Sequence, residues 1–343
     1  MLNLLIVLES LLGVILPILI NVAFLTLLER KVLRFRQVRV GPIKVGGFGL
    51  LQPFADVVKL FAKGVTVLGM VITRGFLIAP MLALILAVLF PFVLSVGESR
   101  IGWAFSFLFL LMILRLNIYP LLLAGWSSNR KYALIGGLRG VSQTISYEIR
   151  LAFLAMALFF ELGETRIDFM LTNQISLIWI FPVLSLWIVS VVAELNRTPF
   201  DFSEGESELV SGFNIEYGAV KFAMIFMAEY AIIFRLRLLT ALLVVPGQKL
   251  RFTVVVVGVL LATLVIWLRA TYPRYRYDLL INLAWKTLLP WSLALVQLVL
   301  LRFAIFNCES RLKKLGGFKP PDGTPLFRCF NEISLVFKTP YLL

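Results

Sequence analysis

The chain has 343 residues, of which 60% are hydrophobic and 15% are charged, and its mean hydropathy is +0.94; since a soluble domain has about 45–50% apolar and about 25% charged residues, the soluble classes are excluded. With no histidine and only two cysteines, the chain lacks the usual ligand sets for haem, iron–sulfur clusters and zinc, and it cannot build a histidine-dependent nucleophile. The net charge of +14 favours basic loops beside anionic lipid over nucleic acid as a partner.

The apolar residues fall in runs of about twenty, the length that crosses a bilayer as a helix. The sequence therefore predicts an all-α, polytopic membrane protein. Its membrane domain covers 1–306, and 307–343 forms a peripheral C-terminal extension in which glycine and proline pairs and mixed charge replace the apolar runs. Eight spanning helices are predicted, at about 3–28, 76–96, 102–124, 141–162, 175–195, 219–243, 252–271 and 284–306.

Between the first two predicted spans, the segment Gly49–Lys63 has the pattern of an amphipathic helix. Its apolar side chains recur along one helical stripe, whereas Asp56, Lys59 and Lys63 fall on the opposite side. This pattern is typical of a helix that lies flat on the membrane surface. The connection 29–63 as a whole carries eight bases and two acids, most of which we interpret as a basic loop facing lipid headgroups.

Three carboxylates, Glu148, Glu194 and Glu229, lie within or at the end of predicted spans. Each costs about 2.5–3.5 kcal/mol at the centre of a spanning helix, so it must face the bundle interior, pair with a cation or take up a proton. A single residue of this kind is as easily a structural ion pair as part of a proton path. Three of them, together with an acidic segment that follows the fifth span, favour a proton path.

That segment, 194–216, carries six acids and one base, Arg197. Acids this close together do not all ionise readily in a low-dielectric site, so some are expected to bind protons near neutral pH and to relay them. A solvated acidic loop is the alternative. Burial is favoured by the apolar residues that alternate with the acids, namely Phe200, Phe202, Leu209, Val210 and Phe213.

A second basic and aromatic segment, Arg269–Asp278, follows the seventh predicted span. If the loops alternate across the membrane, it lies on the same side as the basic connection 29–63. Two cationic segments beside an acidic one predict either the mouth of a chamber for a ligand with a polar head and an apolar tail, or a docking surface for a soluble partner. The residues alone leave both interpretations open.

Six segments together resemble one family, subunit 1 of respiratory complex I, the NADH:ubiquinone oxidoreductase. They are LERKVL at Leu28–Leu33, GLLQPFADVVKLF at Gly49–Phe61, KYALIGGLRGVSQTISYE at Lys131–Glu148, AELNRTPFDFSEGESELVSGFNIEY at Ala193–Tyr217, FMAEYA at Phe226–Ala231 and RATYPRYRYD at Arg269–Asp278. The resemblance covers roughly residues 15–300, in order and at matching spacing.

The resemblance implies a core membrane subunit that forms the membrane side of the ubiquinone chamber and begins an acidic proton-coupling path to antiporter-like subunits. By position, the chamber residues would be Glu29, Arg30, Arg39, Asp56, Lys59, Phe222, Phe226, Arg274, Arg276 and Asp278. The proton-coupling residues would be Glu148, Glu194, Asp201, Glu204, Glu206, Glu208, Glu216 and Glu229.

The resemblance also implies that the chain belongs to an enzyme only as part of a complex. It would bind no cofactor or metal itself and would supply no catalytic residue; ubiquinone would be the substrate at the shared chamber, with FMN and iron–sulfur clusters in partner subunits. The expected partners are the peripheral quinone-site subunits, the antiporter-like membrane subunits and lipids, cardiolipin among them. The expected location is the mitochondrial inner membrane rather than a bacterial plasma membrane.

The sequence leaves three alternatives open: the coupling subunit of a related membrane-bound hydrogenase, a stand-alone proton-coupled transporter, and a membrane anchor for a soluble enzyme. A transporter often carries an internal repeat, and the sequence shows none. Four arginines depart from the mostly apolar spans of the family, and the sequence predicts no role for them: Arg115, Arg150, Arg235 and Arg237.

Overall fold

The computed structural model describes residues 2–64, 71–97, 106–162, 177–202, 212–244 and 251–314. Every regular element in these ranges is helical, which confirms the predicted all-α class. In chain order the helices are α1 (Leu2–Arg36), α2 (Gln52–Ala62), α3 (Thr73–Gly97), α4 (Ser106–Leu116), α5 (Ile118–Ser127), α6 (Lys131–Leu162), α7 (Leu177–Glu194), α8 (Ala219–Val244), α9 (Arg251–Thr271), α10 (Tyr277–Asn282) and α11 (Leu289–Lys314). Short 3-10 turns occupy Gly47–Gly49 and Gly212–Asn214, and a π-helical turn, Leu283–Leu288, joins α10 to α11.

In the described residues, each predicted span overlaps one of these helices or two consecutive ones, and the last span also includes the π-helical turn. The third span is divided into α4 and α5 at Asn117. Pro120 lies in the first turn of α5, where backbone N–H groups have no intrahelical acceptor, so a proline is tolerated there.

The predicted start of the fourth span, at 141, is wrong as the start of its helix, because α6 begins at Lys131. The glycines and basic residues of this stretch resemble a loop in the sequence. In the structure, a Cβ on Gly125 of α5 would lie 3.3 Å from the Cα of Gly137 of α6. The two glycines therefore let the helices approach backbone to backbone, and this packing keeps a glycine-rich stretch helical.

Several helical stretches of the described residues have the length and composition needed to cross a bilayer. They are Leu108–Ser127, Lys131–Glu161, Thr253–Thr271 and Tyr277–Ala304, with shorter apolar helices at Thr73–Leu89 and Phe181–Glu194. Helix α8, also a predicted span, carries four charged residues and depends on neighbouring helices to cover them. The polytopic membrane class is confirmed, and the number of eight spans stays a prediction.

Helix α2 bears out the predicted amphipathic pattern. Its apolar side chains Phe54, Val58 and Phe61 are 45%, 66% and 53% exposed within the chain. They therefore remain available to lipid or to another subunit. A turn at Gly49 leads into the helix with φ +75°, and a Cβ there would lie 2.2 Å from the carbonyl oxygen of Pro42, so only glycine fits.

The core lies where α4, α6, α7 and α8 meet. Leu110, Leu151, Trp187 and Leu236, one from each of these helices, are at most 1% exposed. Helix α8 packs against α3, α9 and α1 as well as α7, which makes it the central helix of the bundle. Polar residues on the inner faces of α6, α7 and α8 are consequently buried together.

Helix α11 continues from the predicted membrane domain past residue 306 to Lys314. The first residues of the predicted extension are therefore helical. Residues 315–343 lie outside the described part of the chain, and the division at 306 stays a prediction.

Candidate functional site

Glu29, one of the predicted chamber residues, is buried near the C-terminal end of α1 and is held by two other helices. Its Oε2 accepts a hydrogen bond of 2.5 Å from the hydroxyl of Tyr230 on α8, and its Oε1 pairs with the guanidinium of Arg269 on α9. Arg269 also donates from Nε to the Thr198 hydroxyl at 3.2 Å. The carboxylate therefore ties α1, α8 and α9 to the segment that follows α7.

Glu229, the neighbour of Tyr230 on α8, pairs with Arg197, the one base that the sequence places in the acidic segment. The distance between Arg197 Nη2 and Glu229 Oε2 is 3.2 Å. The Arg197 guanidinium also lies 4.8 Å from the centre of the Tyr230 ring and 5.6 Å from that of Phe226. A desolvated cation over aromatic rings gains about 2 kcal/mol, so the rings hold this arginine in place.

The two predicted aromatic residues of the chamber belong to a longer row on α8. The ring centres of Phe222 and Phe226 are 5.0 Å apart, and those of Phe226 and Tyr230 are 5.7 Å apart. Because residues four apart share one helical face, the three rings form a continuous apolar surface. This surface ends at the Glu29 carboxylate, so it joins an apolar track to a charged end.

A cavity of about 50 Å³ lies beyond this network and is lined by two of the predicted acids, Glu194 and Glu229. Asn117 and Asn196 also line it, among mainly apolar residues of α3, α5 and α8. A polar cavity needs at least about 10–15 Å³ to hold one water molecule, so this one has room for a few.

Glu194 and Glu148 are both buried, at 2% and 7% exposure, and they interact electrostatically. Within the described residues, neither carboxylate oxygen of Glu194 accepts a hydrogen bond, and Oε1 of Glu148 accepts none. Arginines that the sequence left without a role lie near these acids: Glu148 interacts with Arg115, and Glu194 with Arg150 and Arg235.

Most described residues of the acidic segment are buried, and Ile215 is the exposed one among them. Phe200, Phe202 and Phe213 are at most 7% exposed, which confirms the burial predicted for these three residues. Gln143 of α6 donates from Nε2 to the carbonyl oxygens of Ala193 and Phe200, at 2.9 and 2.7 Å, and so fixes the start of the segment against α6.

Two further acids of this segment have arginine partners. Asp201 Oδ2 lies 3.4 Å from Arg274 Nη2, and Glu216 Oε1 lies 3.1 Å from Arg130 Nε. Three predicted residues, Glu204, Glu206 and Glu208, lie outside the described residues.

The other predicted chamber residues lie at the surface. Arg30 pairs with Asp56 of α2 at 2.6 Å, and Arg276 pairs with its own neighbour Asp278 at 3.2 Å. Arg39 and Lys59 are exposed as well. The described structure thus places Glu29, Phe222, Phe226 and Arg274 with the buried network or at its rim, and the exposed residues outside it.

Sequence reasoning missed Tyr230 and Arg269, which complete the Glu29 contacts, although both stand inside segments that resemble the family. It also missed Tyr217, between the acidic segment and α8. The Tyr217 ring stacks on Phe76 with centres 4.2 Å apart, and its hydroxyl lies 3.3 Å from that of Ser127. Burial raises the pKa of Tyr217 to about 12, and the hydrogen bond with Ser127 partly opposes this rise.

Comparison with known proteins gives consistent matches over most of the chain. The family model described as NADH dehydrogenase matches residues 9–300. The NADH-ubiquinone oxidoreductase chain 1 of Balaenoptera physalus is 46% identical over 296 residues, covering 83% of this chain and 93% of that protein. The proteins of the same name from Branchiostoma lanceolatum and Gallus gallus are also 46% identical, covering 82% and 83% of this chain and 91% of each relative.

Proposed function

The chain belongs to the NADH dehydrogenase family, and from this we propose that it is a core membrane subunit of a proton-pumping NADH:ubiquinone oxidoreductase. In this role it forms the membrane side of the quinone chamber. It also begins the proton-coupling path towards antiporter-like subunits.

One observation carries the proposal: a series of ionisable groups, joined first by direct contacts and then by a shared cavity and electrostatic interaction, runs from the predicted chamber to the bundle interior. Glu29 contacts Tyr230, whose ring lies under Arg197, and Arg197 pairs with Glu229. Glu229 shares a cavity with Glu194. Glu194 in turn interacts with Glu148. A membrane anchor has no need of such a series, because buried charges destabilise a spanning bundle.

The chemistry of the substrate explains how the series is used. Reduction of a quinone to a quinol consumes two electrons and two protons. The electrons come from iron–sulfur clusters in the peripheral subunits, and the proton demand changes the charge at the chamber. Because Glu29 and Arg269 stand at the end of the aromatic row, they respond first. Pairing at Arg197 and Glu229 then shifts, and proton occupancy at Glu194 and Glu148 follows.

The row of rings on α8 suits the other half of the substrate. An apolar tail packs along Phe222 and Phe226, while the polar head meets the charged end. On this proposal the chain works with peripheral and antiporter-like subunits of the complex, in contact with lipids, cardiolipin among them, in the mitochondrial inner membrane. FMN and iron–sulfur clusters belong to those partners.

The test replaces Glu194 with Gln in the assembled complex, with Glu161→Gln as the matched control. Glu161 is also an acid of the bundle, but it lies at the C-terminal end of α6, where it pairs with Arg302 at 2.6 Å, and it does not line the cavity. Quinone turnover and proton uptake are measured in proteoliposomes. We expect Glu194→Gln to lower both, and to lower proton uptake more than quinone turnover. Glu161→Gln should leave both near the unsubstituted level. Normal pumping in Glu194→Gln would contradict the proposal.

A further inference from the structure

Two arginines lie in the interior of the bundle with almost no exposure. Arg150 of α6 is 1% exposed and Arg235 of α8 is 0% exposed. A charged side chain inside a spanning bundle is costly unless another charge or a polar group offsets it. The residues around Arg150 and Arg235 must therefore compensate the cost of burying their charges.

Both arginines are held by backbone carbonyl oxygens and share one acid, Glu194, as a charged neighbour. Arg235 donates from Nη1 to the carbonyl oxygen of Leu86 on α3 at 3.3 Å, which fixes the side chain, and it interacts electrostatically with Glu194. Arg150 donates from Nε to the Ser146 carbonyl oxygen at 3.3 Å and also interacts with Glu194. Its guanidinium lies 3.6 Å from the centre of the Tyr147 ring.

The cations and the acid nevertheless make no contact that would hold the carboxylate in place. Within the described residues, neither oxygen of Glu194 accepts a hydrogen bond, in contrast to Glu229, which is bonded to Arg197. Glu194 also lines the cavity that it shares with Glu229. Its negative charge is therefore offset by neighbouring cations, while neither of its oxygens is held by a hydrogen bond from another described residue.

The balance of charge at this place supports the same conclusion. Glu148 and Glu194 carry two negative charges when ionised, and Arg150 and Arg235 carry two positive ones. Glu148 has Arg115 as a further cationic neighbour. With Arg115 counted, three cations neighbour these two acids, which is enough to offset both carboxylates when they are ionised.

We propose that Arg150 and Arg235 are positioning residues that stabilise the ionised form of Glu194 from two helices, so that proton gain and loss at this carboxylate depend on both. The inference rests on the proposed function, because it assigns a role to Glu194 in proton coupling. It adds a pair of cations to a path described so far by its acids.

The experiment compares substitutions of Arg235 and Arg150 in the assembled complex reconstituted in liposomes. Proton uptake per quinone reduced is the main readout. We expect Arg235→Gln and Arg150→Gln each to lower this ratio clearly below that of the unsubstituted complex. Arg235→Lys keeps the charge and is expected to restore most of the ratio. A merely structural arginine would not be rescued by charge alone, so a ratio in the lysine variant as low as in Arg235→Gln would overturn the proposal.

Arg237→Gln is the matched control. Arg237 stands two residues further along α8, half-buried, with its guanidinium 4.5 Å from the centre of the Phe234 ring. Loss of this arginine is expected to leave the ratio unchanged. An equal drop in this control would mean that any cation on α8 affects pumping, and it would overturn the assignment to Arg150 and Arg235.

The double variant Glu194→Gln with Arg235→Gln covers the case in which Arg235→Gln does not assemble. Removing both partners of a buried pair is less harmful than removing one, so we expect the double variant to assemble. Its failure to do so would show that Arg235 acts on packing apart from Glu194, which overturns the inference.

The single variant Glu194→Gln separates this inference from the proposed function. Normal pumping in that variant refutes the proposed function. Impaired pumping there, combined with normal pumping in both arginine variants, refutes only the inference.

Discussion

Replacing Glu29 with Gln is the sharpest test of the buried network. Glutamine has the same size and keeps one oxygen acceptor, but it removes the charge that Tyr230 and Arg269 share. A hydrogen bond to a charged group contributes about 1.5–3 kcal/mol. Because the Arg269 side chain is 29% exposed, solvent screens part of the loss. We therefore expect a cost of about 2 kcal/mol, shared between local stability and the positioning of the chamber.

The assay compares two electron acceptors with the same complex. Turnover with a quinone requires the chamber, whereas an artificial acceptor that takes electrons from the peripheral subunits does not. We expect kcat/KM for the quinone to fall about fivefold to thirtyfold, since 1.4 kcal/mol corresponds to a factor of ten and between half and all of the cost of about 2 kcal/mol falls on the chamber. The rate with the artificial acceptor should be unchanged. Thermal inactivation of the complex, followed as a rate, reports the part of the cost that falls on stability.

Tyr230→Phe completes a double-mutant cycle with Glu29→Gln. The phenylalanine keeps the ring under Arg197 and removes only the hydroxyl that bonds Glu29. If the two groups act together, the combined effect is smaller than the sum of the single effects. Full additivity, or normal quinone kinetics in Glu29→Gln, would refute the network as the link between the chamber and the interior.

Two smaller predictions concern the residues around the acidic segment. Gly136→Ala places a Cβ 3.0 Å from the Cα of Gly212, so we expect it to displace the end of the acidic segment and to lower the amount of assembled complex. Gly47→Ala is the control, because nothing lies within 4 Å of its Cβ, and it should leave the amount of assembled complex unchanged. Tyr217→Phe loses the contact with Ser127 and should reduce stability by about 1 kcal/mol below pH 10, as measured by thermal inactivation. The pKa of Tyr217 rises from 10.0 to about 12 on folding, so the hydroxyl loses its proton more easily in the unfolded chain. The unsubstituted protein should therefore lose on the order of 2 kcal/mol of folding stability between those pH values, and the phenylalanine variant should lose less. Equal losses of stability in the two proteins would contradict this assignment.

The spanning helices could be predicted because they follow from composition alone. Long apolar runs have few alternatives in a bilayer, since a helix satisfies its own backbone hydrogen bonds. The start of α6 could not be predicted in this way. Its glycines are loop-forming in isolation, and only the close approach of Gly125 and Gly137 explains why the helix includes them. Tertiary packing decided that boundary.

The candidate site divides in the same manner. Glu29 and Glu229 could be selected from the segments that carry them, but their partners could not. Tyr230 lies 201 residues from Glu29 along the chain, and Arg269 lies 240 residues away. No local pattern encodes pairing over such distances. For the same reason the arginines Arg150 and Arg235 remained without a role until their burial and their common neighbour were known.

The way each acid is held changes from the surface to the interior. Asp56 has an exposed partner, and Glu29 and Glu229 are bonded to arginines in partly buried pairs. Glu194 has two arginines and Glu148 as charged neighbours but accepts no hydrogen bond from a described residue. A carboxylate bonded to arginine resists protonation, because the proton would have to displace the partner. A compensated but unbonded carboxylate has no such obstacle. The acids at the chamber are therefore suited to sense a change of charge, and Glu194 is suited to exchange the proton that follows.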